Sequence, residues 1–222
     1  MTPLVAIGLA VAVVAGISLH LVAHLDPVNE MLSDAVVSVP GTILLGVACA
    51  GLIVVAGALA VTAARHGPRR RLVPTLLGLW SAALATIVVF PTNLPGMPLT
   101  TAAVIHRYGA AMLAVVPPIV GLLVARTRRL RRAAWTTAAA AALFGLLHGP
   151  AVLLGQDVVP YAGLTERVLF IMILILLALT ARELRPLSAV SASPRGERPV
   201  TALSPSATTM VPNAPPTIAE VA

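Results

Sequence analysis

Apolar residues in this chain come in long blocks, and the polar ones are confined largely to the gaps between them. The blocks run Leu4 to Leu25, Gly41 to Ala64, Leu72 to Thr92, Ala103 to Ala125, Ala133 to Leu154 and Gly163 to Ala181. Each approaches the roughly 20 residues that carry a helix across ~30 Å of hydrocarbon. Their Val and Ile content would also suit strands, but the ten-residue alternation of a membrane barrel is absent. Inside lipid a segment must satisfy its own backbone N–H groups, so each block is expected to be a helix. The pattern therefore predicts an all-α bundle of six transmembrane helices within residues 1–185. The first block lacks a basic leader and is longer than the apolar core of a signal peptide, so it is expected to stay as the first helix.

Composition agrees with the blocks. Of 222 residues, 58% are hydrophobic and 10% charged, with a mean hydropathy of +0.96. A soluble domain carries about 25% charged residues. The net charge of +7 and pI near 11.4 raise the question of nucleic acid. Distribution answers it, because the arginines flank apolar blocks and no basic stripe is interleaved with aromatics. A nucleic-acid partner is not expected; membrane lipids are. One cysteine, Cys49, excludes an internal disulfide and a multi-cysteine zinc site.

All fifteen cations are arginine, and thirteen of them sit in alternate gaps. Arg65, Arg69, Arg70 and Arg71 follow the second block; Arg126, Arg128, Arg129, Arg131 and Arg132 follow the fourth; Arg182, Arg185, Arg195 and Arg198 follow the sixth. The positive-inside rule then places both termini in the cytoplasm and the other three connections outside. A bacterial plasma membrane is the expected location. Residues 186–222 are rich in Pro, Ser, Ala and Thr and lose every apolar period, which predicts a disordered cytoplasmic tail. Gly41, Gly46, Gly51 and Gly57 mark expected points of close helix approach. Pro117 and Pro118 remove two donors from the fourth helix and should bend it.

Polar residues that interrupt the scheme gather at the predicted outer end. His20 and His24 lie at the end of the first block, in "HLVAHLDPVNEMLSD", ahead of Asp26, Glu30 and Asp34. Asn93 closes the third block, His106 and Arg107 open the fourth, His148 lies late in the fifth, and Glu166 and Arg167 open the sixth. Ionisable groups near the membrane interior usually face the bundle rather than lipid, so a shared outward-facing polar pocket is expected. His20, His24, Asp34, Asn93, His106, His148, Glu166 and Arg167 are its candidate residues. His20 and His24, at i and i+4, are weak metal candidates, since there is no HExxH and a third ligand would have to come from His106, His148 or an acid; no cofactor is expected. No GxSxG, Walker A or GxGxxG motif is present. Arg167 cannot pair with its neighbour Glu166 along the helix. It is expected to reach across to Asp34 in a two-point fork that ties down the first outer loop.

Four stretches, "NEMLSDAVVSVPG", "FPTNLPG", "HRYGA" and "GLTERVLF", together resemble the DUF998 family of small multi-pass membrane proteins, over about residues 4 to 185. Ser33 and Asp34 match that family's Ser-acid pair, His106 its helix 4 histidine and Arg167 its helix 6 arginine. Asn93 stands where the family more often has Asp. The resemblance implies a helical membrane fold and a shared polar site, and no reaction. The leading expectation is a pocket that recognises or processes a lipid or other amphiphile. Proton- or ion-coupled transport of a small solute and a non-catalytic membrane partner role remain the alternatives.

Overall fold

The computed structural model describes residues 2–66, 68–93, 98–154 and 160–185. The expected disordered tail over 186–222 lies outside them. The described residues form six α-helices: α1 (Pro3–Ala23), α2 (Val39–His66), α3 (Leu72–Val89), α4 (Thr101–Val124), α5 (Arg128–Leu154) and α6 (Ala162–Glu183). A short 3-10 segment, Leu32–Val37, stands between α1 and α2. Sequential helices pack side by side in up-and-down order. The last helix packs mainly on α4 and α5 and touches α1 and α2 more sparingly.

Five of the six helices are long and apolar enough to cross a membrane by length and composition; α5 is not among them. It starts five residues earlier than its apolar block, taking four arginines into its first turns. Arginine is a good helix former, so the helix begins where the charge does, not where the hydrophobicity does.

The outward faces are those of a membrane protein. Val14, Leu21, Ile43 and Leu146 are all 60% exposed or more, left uncovered by the described residues. A bilayer supplies the missing cover. Because lipid tails are as apolar as leucine, burial alone does not draw such helices together, and close backbone packing must help. The crossing of α1 and α2 shows how. A Cβ at Gly8 would lie 2.6 Å from the Gly51 carbonyl oxygen, and one at Gly51 would lie 2.7 Å from that of Gly8. Only hydrogen fits at either position. Gly41 is similarly crowded by the Ala35 carbonyl, whereas a Cβ at Gly46 makes ordinary contact and one at Gly57 meets nothing. Of the four expected close helix approaches Gly51 makes one, and Gly41 is crowded instead by the segment that leads into its own helix.

The core is built from Val55, Leu59, Leu77, Trp80, Leu84, Val120, Leu176 and their neighbours on α2, α3, α4 and α6. Helix α4 runs through Pro117 and Pro118 without losing its helical assignment. Proline 117 cannot donate to the carbonyl of Leu113, one turn before it. The buried indole of Trp80 fills that vacancy, its Nε1–H donating to the Leu113 oxygen at 3.2 Å.

Two ends of the bundle follow from this order. One carries the α1–α2, α3–α4 and α5–α6 connections, and is called here the loop end. The other carries the arginine-rich connections. Thr2 and Arg185 line one small cleft with Val5, Leu59, Thr62 and Ala181, so the residues just before α1 and just after α6 come together at the arginine end.

Candidate functional site

Glu166 and Arg167, with His20 behind Arg167, converge at the loop end on a single piece of backbone, residues 26–34. Asp26 shapes it first. Its two carboxylate oxygens accept from the Val28 N–H at 2.8 Å and the Asn29 side-chain amide at 2.7 Å. Its own N–H donates to Glu30 Oε2 at 2.7 Å. Asp26-Pro27-Val28-Asn29 carries turn-forming residues at its first, second and fourth positions, and these bonds make the turn. They also hold the exposed Asp26 carboxyl below the ordinary range, chiefly through the Val28 N–H. Three residues on, Asp34 accepts the Met31 N–H at 2.7 Å and so caps the 3-10 segment. Burial pushes the Asp34 pKa upward, against the opposing pull of that N–H. Ser38 then starts α2 by accepting the Gly41 N–H at 3.1 Å.

This loop lies across the start of α6. The Leu164 N–H donates to the Val28 carbonyl at 3.0 Å, and the Tyr161 N–H reaches Asn29 Oδ1 at 3.4 Å. Tyr161 itself turns the chain into α6 in the left-handed region, at φ 62°. Gly163 lets the loop descend: a Cβ there would collide with the Glu30 carbonyl oxygen. Side chains complete the docking. Glu166 Oε2 accepts the Leu32 N–H at 2.6 Å, and Arg167 donates through Nη1 to the Glu30 carbonyl at 2.7 Å and through Nε to His20 Nε2 at 3.0 Å. A guanidinium has only donors to offer. His20 must therefore be a neutral imidazole with its Nε2 lone pair toward Arg167.

The expected fork between Arg167 and Asp34 is not formed. Asp34 is turned inward to its own cap, and α6 grips the loop by backbone groups instead: a carboxylate on an N–H and a guanidinium on a carbonyl. Charge pattern suggested a charged partner, but the tight Asp26 turn presents its peptide edge to α6.

The other candidates fall into two smaller groups. His148 on α5 is 3% exposed and its Nε2 lies 2.9 Å from Thr165 Oγ1. That hydroxyl is committed to the Tyr161 and Ala162 carbonyls, so the imidazole Nε2–H donates to it. The Nδ1 atom of His148 is buried with no hydrogen-bond partner among the described residues, and Phe144 lies 4.4 Å from the ring, centroid to centroid. Between α3 and α4, buried His106 donates through Nδ1 to the Phe90 carbonyl at 2.8 Å. Asn93 bridges to Thr100: its Oδ1 accepts the Thr100 hydroxyl at 2.9 Å, and its amide donates to the Pro98 carbonyl. Thr100 in turn caps α4. Asn93 thus acts as an amide that both donates and accepts, which a carboxylate could not do. His106 is near enough to Asp34 to act on its charge, which connects this group to the loop.

His24 stands apart. It is exposed and ends α1 in the left-handed region at φ 51°, off the helical face that carries His20. Among the described residues, no group of three or more His, Cys, Asp or Glu side chains is arranged to hold a metal ion. Sequence reading also missed a residue at the opposite end. Glu183, which ends α6, accepts the backbone N–H groups of Arg126 and Thr127 at 2.7 and 2.9 Å and the Thr127 hydroxyl at 3.0 Å. Its signal was present: it is the one acid among the arginines of that end in the described residues.

A family profile described as "Protein of unknown function (DUF998)" matches residues 4–183. The chain belongs to the DUF998 family. The match takes in all six helices and the docked loop, so the DUF998 region and the helical bundle coincide. Among curated proteins and among solved structures, no match is found. The protein is a multi-pass membrane protein of this family.

Proposed function

We propose that this DUF998 protein recognises or processes a lipid or other amphiphile at the loop end of the bundle, with Arg167, His20 and Glu166 at the centre of the site. One observation carries the reading. The half-buried Arg167 gives its close hydrogen bonds to neutral acceptors, an imidazole and a peptide carbonyl, while Glu166, Asp26, Asp34 and Glu30 act on it through space, a mixed field that suits a strongly polar headgroup. The surroundings suit the rest of such a molecule. Leu21 on α1 and Leu164, Val168 and Ile171 on α6 are exposed apolar neighbours of this position, and α1 meets α6 only sparingly. An acyl chain laid along that seam would keep its head at the level of Arg167.

The reading includes a membrane arrangement. We infer six spans, with α5 as the fifth, both termini on the cytoplasmic side and the loop end facing out of a bacterial plasma membrane. The meeting of Thr2 and Arg185 at one end supports an even number of crossings. At 27 residues, α5 is about 40 Å long, enough to cross. Tyr108 and Tyr161 are exposed at the loop end and Trp135 toward the other, as interfacial aromatic residues are.

Lipids extracted from the purified full chain and identified by mass spectrometry test this. The expected result is one amphiphile retained near one per chain, lost at least tenfold in Arg167→Gln and partly kept in Arg167→Lys. A melting curve for each variant separates loss of the site from loss of the fold. Equal retention by the folded Arg167→Gln protein, or no retained amphiphile above detergent background, would overturn the reading.

A further inference from the structure

We propose that the arginine end of the bundle is a binding surface for anionic phospholipid headgroups, centred on the first turns of α5. Eleven arginines stand at this end among the described residues: Arg65, three in Arg69–Arg71, five between Arg126 and Arg132, Arg182 and Arg185, all of them exposed. The one carboxylate among them is Glu183, and both of its oxygens are occupied by the backbone and hydroxyl of residues 126 and 127. It holds a loop and is not turned to a guanidinium. Among the described residues Glu183 therefore does not neutralise the arginines at the start of α5, whose charge can meet an outside partner.

The density is greatest where α5 begins. Arg128, Arg129, Arg131 and Arg132 lie within five residues, with no acid in the first turn. Pairs 128/131, 129/132 and 128/132 stand three or four apart, so like charges face one another along the helix and repel. An anion seated between two guanidinium groups removes that repulsion. Phosphate fits better than a point anion, since each guanidinium can grip two of its oxygens in a fork. All-arginine usage is consistent with that geometry.

A membrane is favoured over a nucleic acid by what lies beside the charge. Trp135, three residues beyond Arg132, is 60% exposed, and Leu72, directly after Arg71, is 44% exposed. An indole below a ring of cations is the arrangement of the headgroup layer, with the phosphates at the level of the arginines. This inference does not depend on the loop-end site.

The test is native mass spectrometry of the full chain in detergent, titrated with phosphatidylglycerol or phosphatidylcholine of matched acyl chains. Phosphatidylglycerol should bind at least tenfold more tightly, and the preference should shrink as ammonium acetate is raised. Replacing Arg128, Arg129, Arg131 and Arg132 together by Gln should remove most of the preference, while Lys at the same four positions should keep only part. Equal binding of the two lipids, a Gln variant that keeps the full preference, or displacement of phosphatidylglycerol by equimolar single-stranded DNA would each overturn the proposal. If the Gln variant does not fold, the Lys variant and the salt series decide, since a surface indifferent to both is not an anionic-lipid site.

Discussion

Asp34 is acted on by the Met31 N–H, Glu30, His106 and Arg167, yet burial outweighs the favourable members of that set and raises its pKa. A carboxyl whose pKa is higher folded than unfolded binds a proton more readily in the fold. Stability contributed by this group therefore rises as pH falls from neutral toward the ordinary carboxylate range. Asp26 has the opposite sign, because its pKa is lowered; its contribution is present above the ordinary range and is lost as pH falls below it. The two act in different windows. On mild acidification the detergent-solubilised protein should thus gain melting temperature relative to Asp34→Asn, which keeps the cap to Met31 but cannot take up the proton. An unchanged slope in Asp34→Asn would assign the titration to another group. None of this was legible in the sequence, where Asp34 read as the partner of Arg167. Acidic and basic residues at one end of a bundle announce a polar site, but not who bonds to whom, because backbone groups compete on equal terms with side chains.

At the scale of the helix, α4 shows a defect and its repair on different elements. Pro117 leaves the Leu113 carbonyl without its usual donor, and Trp80 on α3 supplies one. Trp80→Phe should cost about 1–3 kcal/mol beyond any packing change, because a buried carbonyl is left unsatisfied. In a Pro117→Ala background the new N–H at position 117 can reach Leu113, so the same substitution should cost about 1 kcal/mol less. Additive costs in the four-variant melting cycle would show that the two sites are uncoupled. The proline pair was visible in the sequence and read as a bend; the tryptophan opposite was not connected to it, since no periodicity links α3 to α4 side chains. Helix existence, by contrast, was legible throughout, because crossing hydrocarbon demands about 20 apolar residues. What failed were the edges set by other forces: the arginine start of α5 and the 3-10 segment at Leu32–Val37, too short to show a period.

For the whole molecule, the arrangement of ends is the first thing to measure. In a Cys49→Ser background, a cysteine at Pro27 should react with an impermeant thiol reagent from outside intact cells, and one at Arg70 only after the membrane is opened. Both positions are exposed, so silence at Pro27 with labelling at Arg70 would invert the orientation. The gathering of His20, Glu166 and Arg167 was legible from their depth in the blocks, whereas the docking of the loop by Gly163, Leu164 and Tyr161 was not, being backbone chemistry. That docking also has a consequence in time. Residues 26–34 leave the ribosome early, but the groups that hold them, from Tyr161 to Arg167, are made more than a hundred residues later. At bacterial synthesis rates the delay is on the order of ten seconds. Throughout it the Leu32 N–H and the Glu30 carbonyl have no α6 to receive them. The first loop can lock only when the sixth helix arrives, so its closure reports that assembly is complete.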